Sequence, residues 1–203
     1  MSTLDFGLQD GDIIGFSGAY WHSDLINLST YGWPRYSLSH VGILARKNKR
    51  TKWLVFEANE DVPWRCAVTR TKHDGIQAHS LDLLLERYQG KMWHYALMPG
   101  WPKHQVSRYP LDIEGNLYKA LARDLGTPYD WKGAVRAGGK LWSLIQATFR
   151  QEDTSAFFCS EFVATVLREF GIFATDNVSK WSPNSLMRTL VKQGIYKPAV
   201  KLK

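Results

Sequence analysis

The 203 residues are enough for one well-buried domain and leave little room for two. Hydrophobic residues make up 44% and charged residues 22%, with nine each of Trp, Tyr and Phe, which excludes a disordered or fibrous chain. The 26 basic residues outnumber the 19 acidic ones, for a net charge of +7; this favours polyanionic surfaces without choosing among lipid headgroups, wall polymers and nucleic acid, and no specific nucleic-acid partner is expected.

Along the chain, Gln9-Asp10-Gly11 reads as a turn leading into a first strand over residues 12–16. A short helix over 23–30 is stopped by Gly32 and Pro34. Two strands, 39–45 and 53–58, flank the basic stretch Arg46 to Lys52, which reads first as a solvated turn. A further strand is expected over 64–70. Ser80 looks like an N-cap for a helix over 81–88, and residues 91–98 return as a strand. A proline-containing loop spans 99–110, and a helix over 113–125 stops at Gly126. A longer helical region covers about 131–149, weakened by Gly138-Gly139, and an amphipathic helix covers 158–170 before Gly171. Ser182-Pro183 forms an N-cap and N1 pair for a last helix through Leu190. The expected fold class is α+β, one domain over 1–203, with a small, largely antiparallel sheet and helices at its side.

Two cysteines, Cys66 and Cys159, lie far apart with no metal-type spacing, which argues against a disulfide framework or a structural zinc site. His22, His73, His79, His94 and His104 show no metal spacing either and are expected on the surface or in loops. No cofactor and no metal is called for. The N-terminal residues lack a basic region followed by an apolar stretch, and no run approaches the roughly 18 apolar residues of a membrane span. The chain is therefore expected to be cytoplasmic as synthesised, with any export non-classical or through a phage particle.

Strand alternation places Val41 and Ile43 on one face and His40, Gly42 and Leu44 on the other. Pairing Val41 with Phe56 and Ile43 with Leu54 puts His40 directly opposite Glu57, within reach of a His–carboxylate contact. Such a carboxylate fixes the imidazole tautomer and stabilises its charged form, as a general base needs; a half-buried His satisfied by a Glu is the bland alternative. Cys159 falls in the first turn of its helix on the buried face, where free N–H groups and the helix dipole favour a thiolate. A small buried hydrophobe is the alternative for Cys159, and the expected role of Cys66.

Gly11-Asp12-Ile13-Ile14, then Ser39-His40-Val41-Gly42-Ile43, then Val55-Phe56-Glu57-Ala58 resemble the strands of the NlpC/P60 papain-like cysteine hydrolases. The matching Cys helix, Phe158-Cys159-Ser160-Glu161-Phe162-Val163, comes after these strands rather than before them, which resembles the circularly permuted, YiiX-like branch. Leu125-Gly126-Thr127-Pro128-Tyr129-Asp130 resembles the Gly-x-Pro-Tyr segment of that branch. The resemblance spans roughly residues 10–170 and departs from the family in an insertion near 131–155.

The resemblance implies a permuted papain-like half-barrel with Cys159 as nucleophile, His40 as base and Glu57 orienting the ring. The Cys159 N–H is the first oxyanion donor, and Tyr129 a candidate second donor or cleft residue. The implied reaction is amide hydrolysis on a peptide or wall peptide through a thioester. One alternative is lipid amide or ester hydrolysis or acyl transfer at a membrane surface, suggested by the aromatic and basic insertion. Another is a non-catalytic binding or structural module of a phage or secreted assembly. Oligomeric state is left open.

Overall fold

The computed structural model describes residues 7–18, 38–60, 62–100, 113–128, 158–175 and 177–203. The expected helices over 23–30 and 131–149, the insertion near 131–155, Tyr129 and most of the 99–110 loop lie outside the described residues.

Six strands form one open sheet: β1 (Ile13–Ser17), β2 (His40–Ala45), β3 (Leu54–Asn59), β4 (Gly75–Ser80), β5 (Lys91–Tyr95) and β6 (Val200–Lys201). They are ordered β4-β3-β2-β1-β5-β6, and every neighbouring pair is antiparallel. Four α-helices accompany them among the described residues: α1 (Leu81–Arg87), α2 (Ile113–Arg123), α3 (Cys159–Glu169) and α4 (Pro183–Lys192). The class is α+β. No described helix is long and apolar enough to cross a membrane.

Strand alternation divides the sheet into two faces. On one, Ile13, Val41, Ile43, Phe56, Ala58, Ile76 and Ala78 join a large core with residues of α2, α3 and α4. On the other, Ile14, Phe16, Leu44, Val55 and Met92 pack with Leu81 and Leu84 of α1. The second face also carries buried Glu57, Gln77, His79 and His94. Polar groups taken out of water need partners, so this face is where the unusual chemistry of the chain collects.

The β2–β3 connection is the solvated turn its composition implies: Lys47 to Lys52 are exposed, and Asn48 and Thr51 close it with local hydrogen bonds. Arg46 lies 4.3 Å over the Trp53 ring, so its charge rests on an aromatic face. The helix ends follow local rules in part. At α4, Ser182 and Ser185 form a reciprocal capping box with Pro183 following the cap. Gly126 and Gly171 take the positive φ values of +87° and +66° that end α2 and α3.

Three expectations need correction. Residues 64–70 are turns, not a strand; Cys66 is buried there, its Sγ accepts the Ala78 N–H at 3.4 Å, and Arg70 has φ +64°. The strand in this region is β4, whose polar alternates Gln77 and His79 face inward instead of to water. Ser80, the last residue of β4, does occupy the N-cap position of α1, but its side chain makes no capping hydrogen bond there. Finally, α3 is not one-sided: residues 159 to 167 are all buried, with Ser160 donating to the Trp181 carbonyl and Ser179 donating to Glu161.

Candidate active site

The β2–β3 register differs from the expected one by two residues. Ile43 pairs with Phe56, Leu44 with Val55 and Ala45 with Leu54. Continued outward, this register sets Gly42 opposite Glu57 and puts His40 one diagonal step away. A shift of two keeps every side chain on its face, so the contact survives the change of partner. His40 Nε2 lies 2.7 Å from Glu57 Oε2. Gly42 is what makes the diagonal reachable. A Cβ there would stand 2.6 Å from Val55 Cγ1, 2.9 Å from the Phe56 carbonyl oxygen and 3.2 Å from Glu57 Cβ.

His40 is the first residue of β2, largely but not fully buried, and its ring tilts against Phe16 of β1 at 5.3 Å between centroids. Cys159 is the first residue of α3, which packs on β2 and β3. The thiol and the imidazole meet where their two elements begin. With Nε2 engaged by Glu57, Nδ1 is the ring nitrogen left for the sulfur. His40 is pushed up to about 10: burial opposes the imidazolium, but the charge and hydrogen bond of Cys159, then those of Glu57, outweigh it.

Glu57 faces a second imidazole as well. Its Oε1 lies 2.8 Å from Nδ1 of His79, which has no solvent exposure. Burial alone would raise the carboxyl, yet hydrogen bonds from His40 and His79, and their charge, bring it down to about 2. His79 was expected on the surface; it is instead inside the site. The signal for it was the period-two pattern of Gly75 to Ser80, which puts Gln77 and His79 on one face.

His94, also expected on the surface, is buried in β5 with Nε2 at 2.7 Å from Asp12 Oδ2. Asp12 accepts from the Leu97 and Gln9 N–H groups too, and Gly11 before it takes φ +91°. The Gly-Asp motif is thus a structural clamp tying the start of β1 to the end of β5, away from the thiol. His73 is half-buried in its loop. Cys66 plays the buried structural part expected of it. Its thiol is lowered, because hydrogen bonds from Thr69, Ala78 and Val68 outweigh the opposing effect of burial.

Two features bear on Cys159 and His40. Phe158 provides no side-chain cap for α3, so the Cys159 N–H, having no intrahelical partner, remains as a donor at the helix N-terminus. Asn184 at the start of α4 accepts the Leu38 N–H at 2.8 Å and donates to the Leu38 carbonyl at 3.1 Å, fixing the chain two residues before His40. Tyr129, the candidate second oxyanion donor, lies outside the described residues. Among the described residues, no group of three or more His, Cys, Asp and Glu side chains is arranged to hold a metal ion.

No protein-family model matches the chain. No curated protein matches it. Among solved structures it resembles one described as metalloprotein yiiX from Escherichia coli O157:H7, DUF1105. The TM-score is 0.56 and the sequence identity 17%, over 96% of each chain. That likeness shows a shared YiiX-like fold.

Proposed function

We propose that this chain is a cysteine hydrolase of a circularly permuted NlpC/P60, papain-like kind, cleaving an amide bond in a peptide or wall peptide. The observation that carries the reading is the alignment of three side chains: Cys159 at an uncapped helix N-terminus, His40 against it, and Glu57 holding the far nitrogen of the ring at 2.7 Å. The chain order of His40, Glu57 and then Cys159, and a YiiX-like fold over the full length, support the permuted assignment. The choice of a peptide substrate rests on the resemblance of the strand and helix motifs.

In this reading the Cys159 thiolate adds to the scissile carbonyl carbon while His40 holds the thiol's proton as imidazolium. The oxygen that becomes negative lies by the Cys159 N–H. Collapse breaks the C–N bond, and the leaving amine takes the proton from His40 Nδ1. The acyl group is left on sulfur as a thioester. Water then attacks the thioester as His40 removes its proton, and the acid departs as Cys159 recovers its electron pair as thiolate, the proton staying on His40 to restore the starting ion pair. Glu57 keeps the ring oriented through both steps.

The related YiiX structure is described as that of a metalloprotein. In this chain His40 and His79 direct their nitrogens at the two oxygens of Glu57, at 2.7 and 2.8 Å, and so are turned toward the carboxylate and not toward a common point where a metal would sit. These residues do not fit a metal site, and no step is assigned to one.

The test is alkylation by iodoacetamide against pH, read separately for Cys159 and Cys66 by peptide mass spectrometry, alongside muropeptide cleavage. Cys159 is expected to be alkylated near neutral pH much faster than Cys66. That preference should shrink in His40→Ala, and Cys159→Ala should abolish cleavage with the fold intact. A Cys159 no more reactive than Cys66, or undiminished cleavage by Cys159→Ala, would overturn the assignment. An unreactive Cys159 would favour the non-catalytic module.

A further inference from the structure

We propose that His79 is a positioning residue for this centre, aiming Glu57 at His40 and thereby extending the catalytic line to Cys159, His40, Glu57 and His79. The inference rests on the hydrolase reading above for its catalytic meaning. Its structural basis is separate.

Glu57 sits on β3 between two strands, and its imidazole partners approach from opposite sides. In the sheet register Glu57 pairs with Gln77, and His79 lies opposite Val55, one diagonal step toward the start of β3. His40 lies one diagonal step the other way, on β2. The carboxylate therefore bridges two strands, with Oε2 on His40 Nε2 at 2.7 Å and Oε1 on His79 Nδ1 at 2.8 Å. An ionised carboxylate only accepts, so His79 must donate Nδ1–H. A carboxylate with one oxygen pinned has lost its freedom to rotate, and its second oxygen is left pointing at the base.

The other end of His79 explains why a positioning role is the economical account. His79 has no solvent exposure, and its Nε2 has no hydrogen-bond partner. The Trp64 ring lies edge-on to it, at 5.9 Å between centroids and 76° between planes. A buried polar atom without a partner is unfavourable, and an apolar side chain would fill the same space without one. The imidazole contributes through Nδ1, and Nδ1 touches Glu57.

The other ionisable groups near this line do not compete for Glu57. Cys159 bears on His40 from α3. Asp12 and His94, on the β1 and β5 side of the same sheet face, are paired to each other. Tyr88 packs edge-on against Phe16, the ring that also contacts His40. Gln77, directly opposite Glu57, is an amide and directs its Nε2 to the Asn59 carbonyl.

The experiment is imidazole 15N NMR of His40 and His79 across pH, in the wild type, His79→Asn and His79→Leu, with Cys159 alkylation and melting temperature measured on the same samples. Asn retains a donor near the Nδ1 position; Leu fills the volume without one. His79→Leu is expected to move the His40 titration toward its ordinary value by about half a pH unit or more, and to slow alkylation near neutrality about threefold. His79→Asn should restore both toward wild type. A folded His79→Leu with an unchanged His40 titration would overturn the proposal, as would His79→Asn behaving like His79→Leu at equal melting temperature. If neither variant folds, Glu57→Gln decides: His79 signals that fail to respond to it also overturn the proposal.

The His40 readout persists in Cys159→Ala. An unreactive Cys159 with coupled histidines would therefore defeat the hydrolase reading alone, whereas a reactive Cys159 with uncoupled histidines would defeat this one alone.

Discussion

Replacing Glu57 by Gln tests the electrostatic core of the site through stability, independently of any substrate. Gln has nearly the same shape but presents one acceptor and one amide donor where the carboxylate presents two acceptors. One of the two imidazole N–H groups, on His40 or His79, then faces a donor in a buried place. Glu57 is held at about 2 against an ordinary 4.5, which corresponds to about 3 kcal/mol of folded-state stabilisation at neutral pH. Because the folded value is the lower one, this contribution is fully present above 4.5 and disappears as pH falls through about 2. Linkage then predicts that the wild type exceeds Glu57→Gln by about 3 kcal/mol at pH 7 and that roughly 40% of the gap is gone by pH 3.5. Urea unfolding of both proteins at the two pH values measures the gap directly. At pH 7 the melting temperatures should differ by about 6–12 °C for a chain of this size. A gap below about 1 kcal/mol at pH 7, or one that does not narrow on acidification, would refute a carboxylate stabilised by two imidazoles.

Gly42→Ala forces a methyl against the Phe56 carbonyl oxygen and Val55, so it should destabilise by about 1–3 kcal/mol and slow Cys159 alkylation; a neutral effect on both would show that the diagonal does not need this gap. Asn184→Ala strands the buried N–H and carbonyl of Leu38, and the expected loss is about 2 kcal/mol or more in urea unfolding, together with reduced Cys159 reactivity. Ser182→Ala removes the cap of α4 and should lower stability by about 1 kcal/mol; unchanged alkylation kinetics in that variant would separate helix stability from site geometry.

Most elements were legible in the sequence because their apolar period was intact and ended in Gly or Pro. β2 and β3 flank a turn of exposed basic residues, and α4 starts at a Ser-Pro pair that forms a capping box. β4 was missed for the opposite reason. Its inward alternates are Gln77 and His79, so a buried face reads as a solvent face, and the more apolar stretch around Cys66 drew the strand assignment instead. The exposed two-residue β6 offered no pattern to read. The pairing of His40 with Glu57 was legible and its register was not. Apolar side chains recur every second residue on both strands, so matching them fixes the face but leaves a shift of two undetermined. Gly42 decides the register, since only a residue without a Cβ fits opposite Glu57 at this spacing.

The same logic explains why α3 departs from ordinary helix rules at its start. A helix normally has its first N–H groups met by a capping side chain and keeps one face in water. α3 begins after Phe158 without a side-chain cap, and its first nine residues are buried, Ser160 and Glu161 among them. The Ser160 hydroxyl and Oε1 of Glu161 are engaged by the segment around residues 178–182, through the Trp181 carbonyl and Ser179. That segment leads into α4, whose Asn184 in turn grips Leu38 just before His40. One stretch of chain thus anchors both the helix bearing the thiol and the strand bearing the imidazole. Departures from local rules concentrate where two element ends must be held at a fixed separation, as expected when the geometry of the pair, and not helix stability, is the constrained quantity.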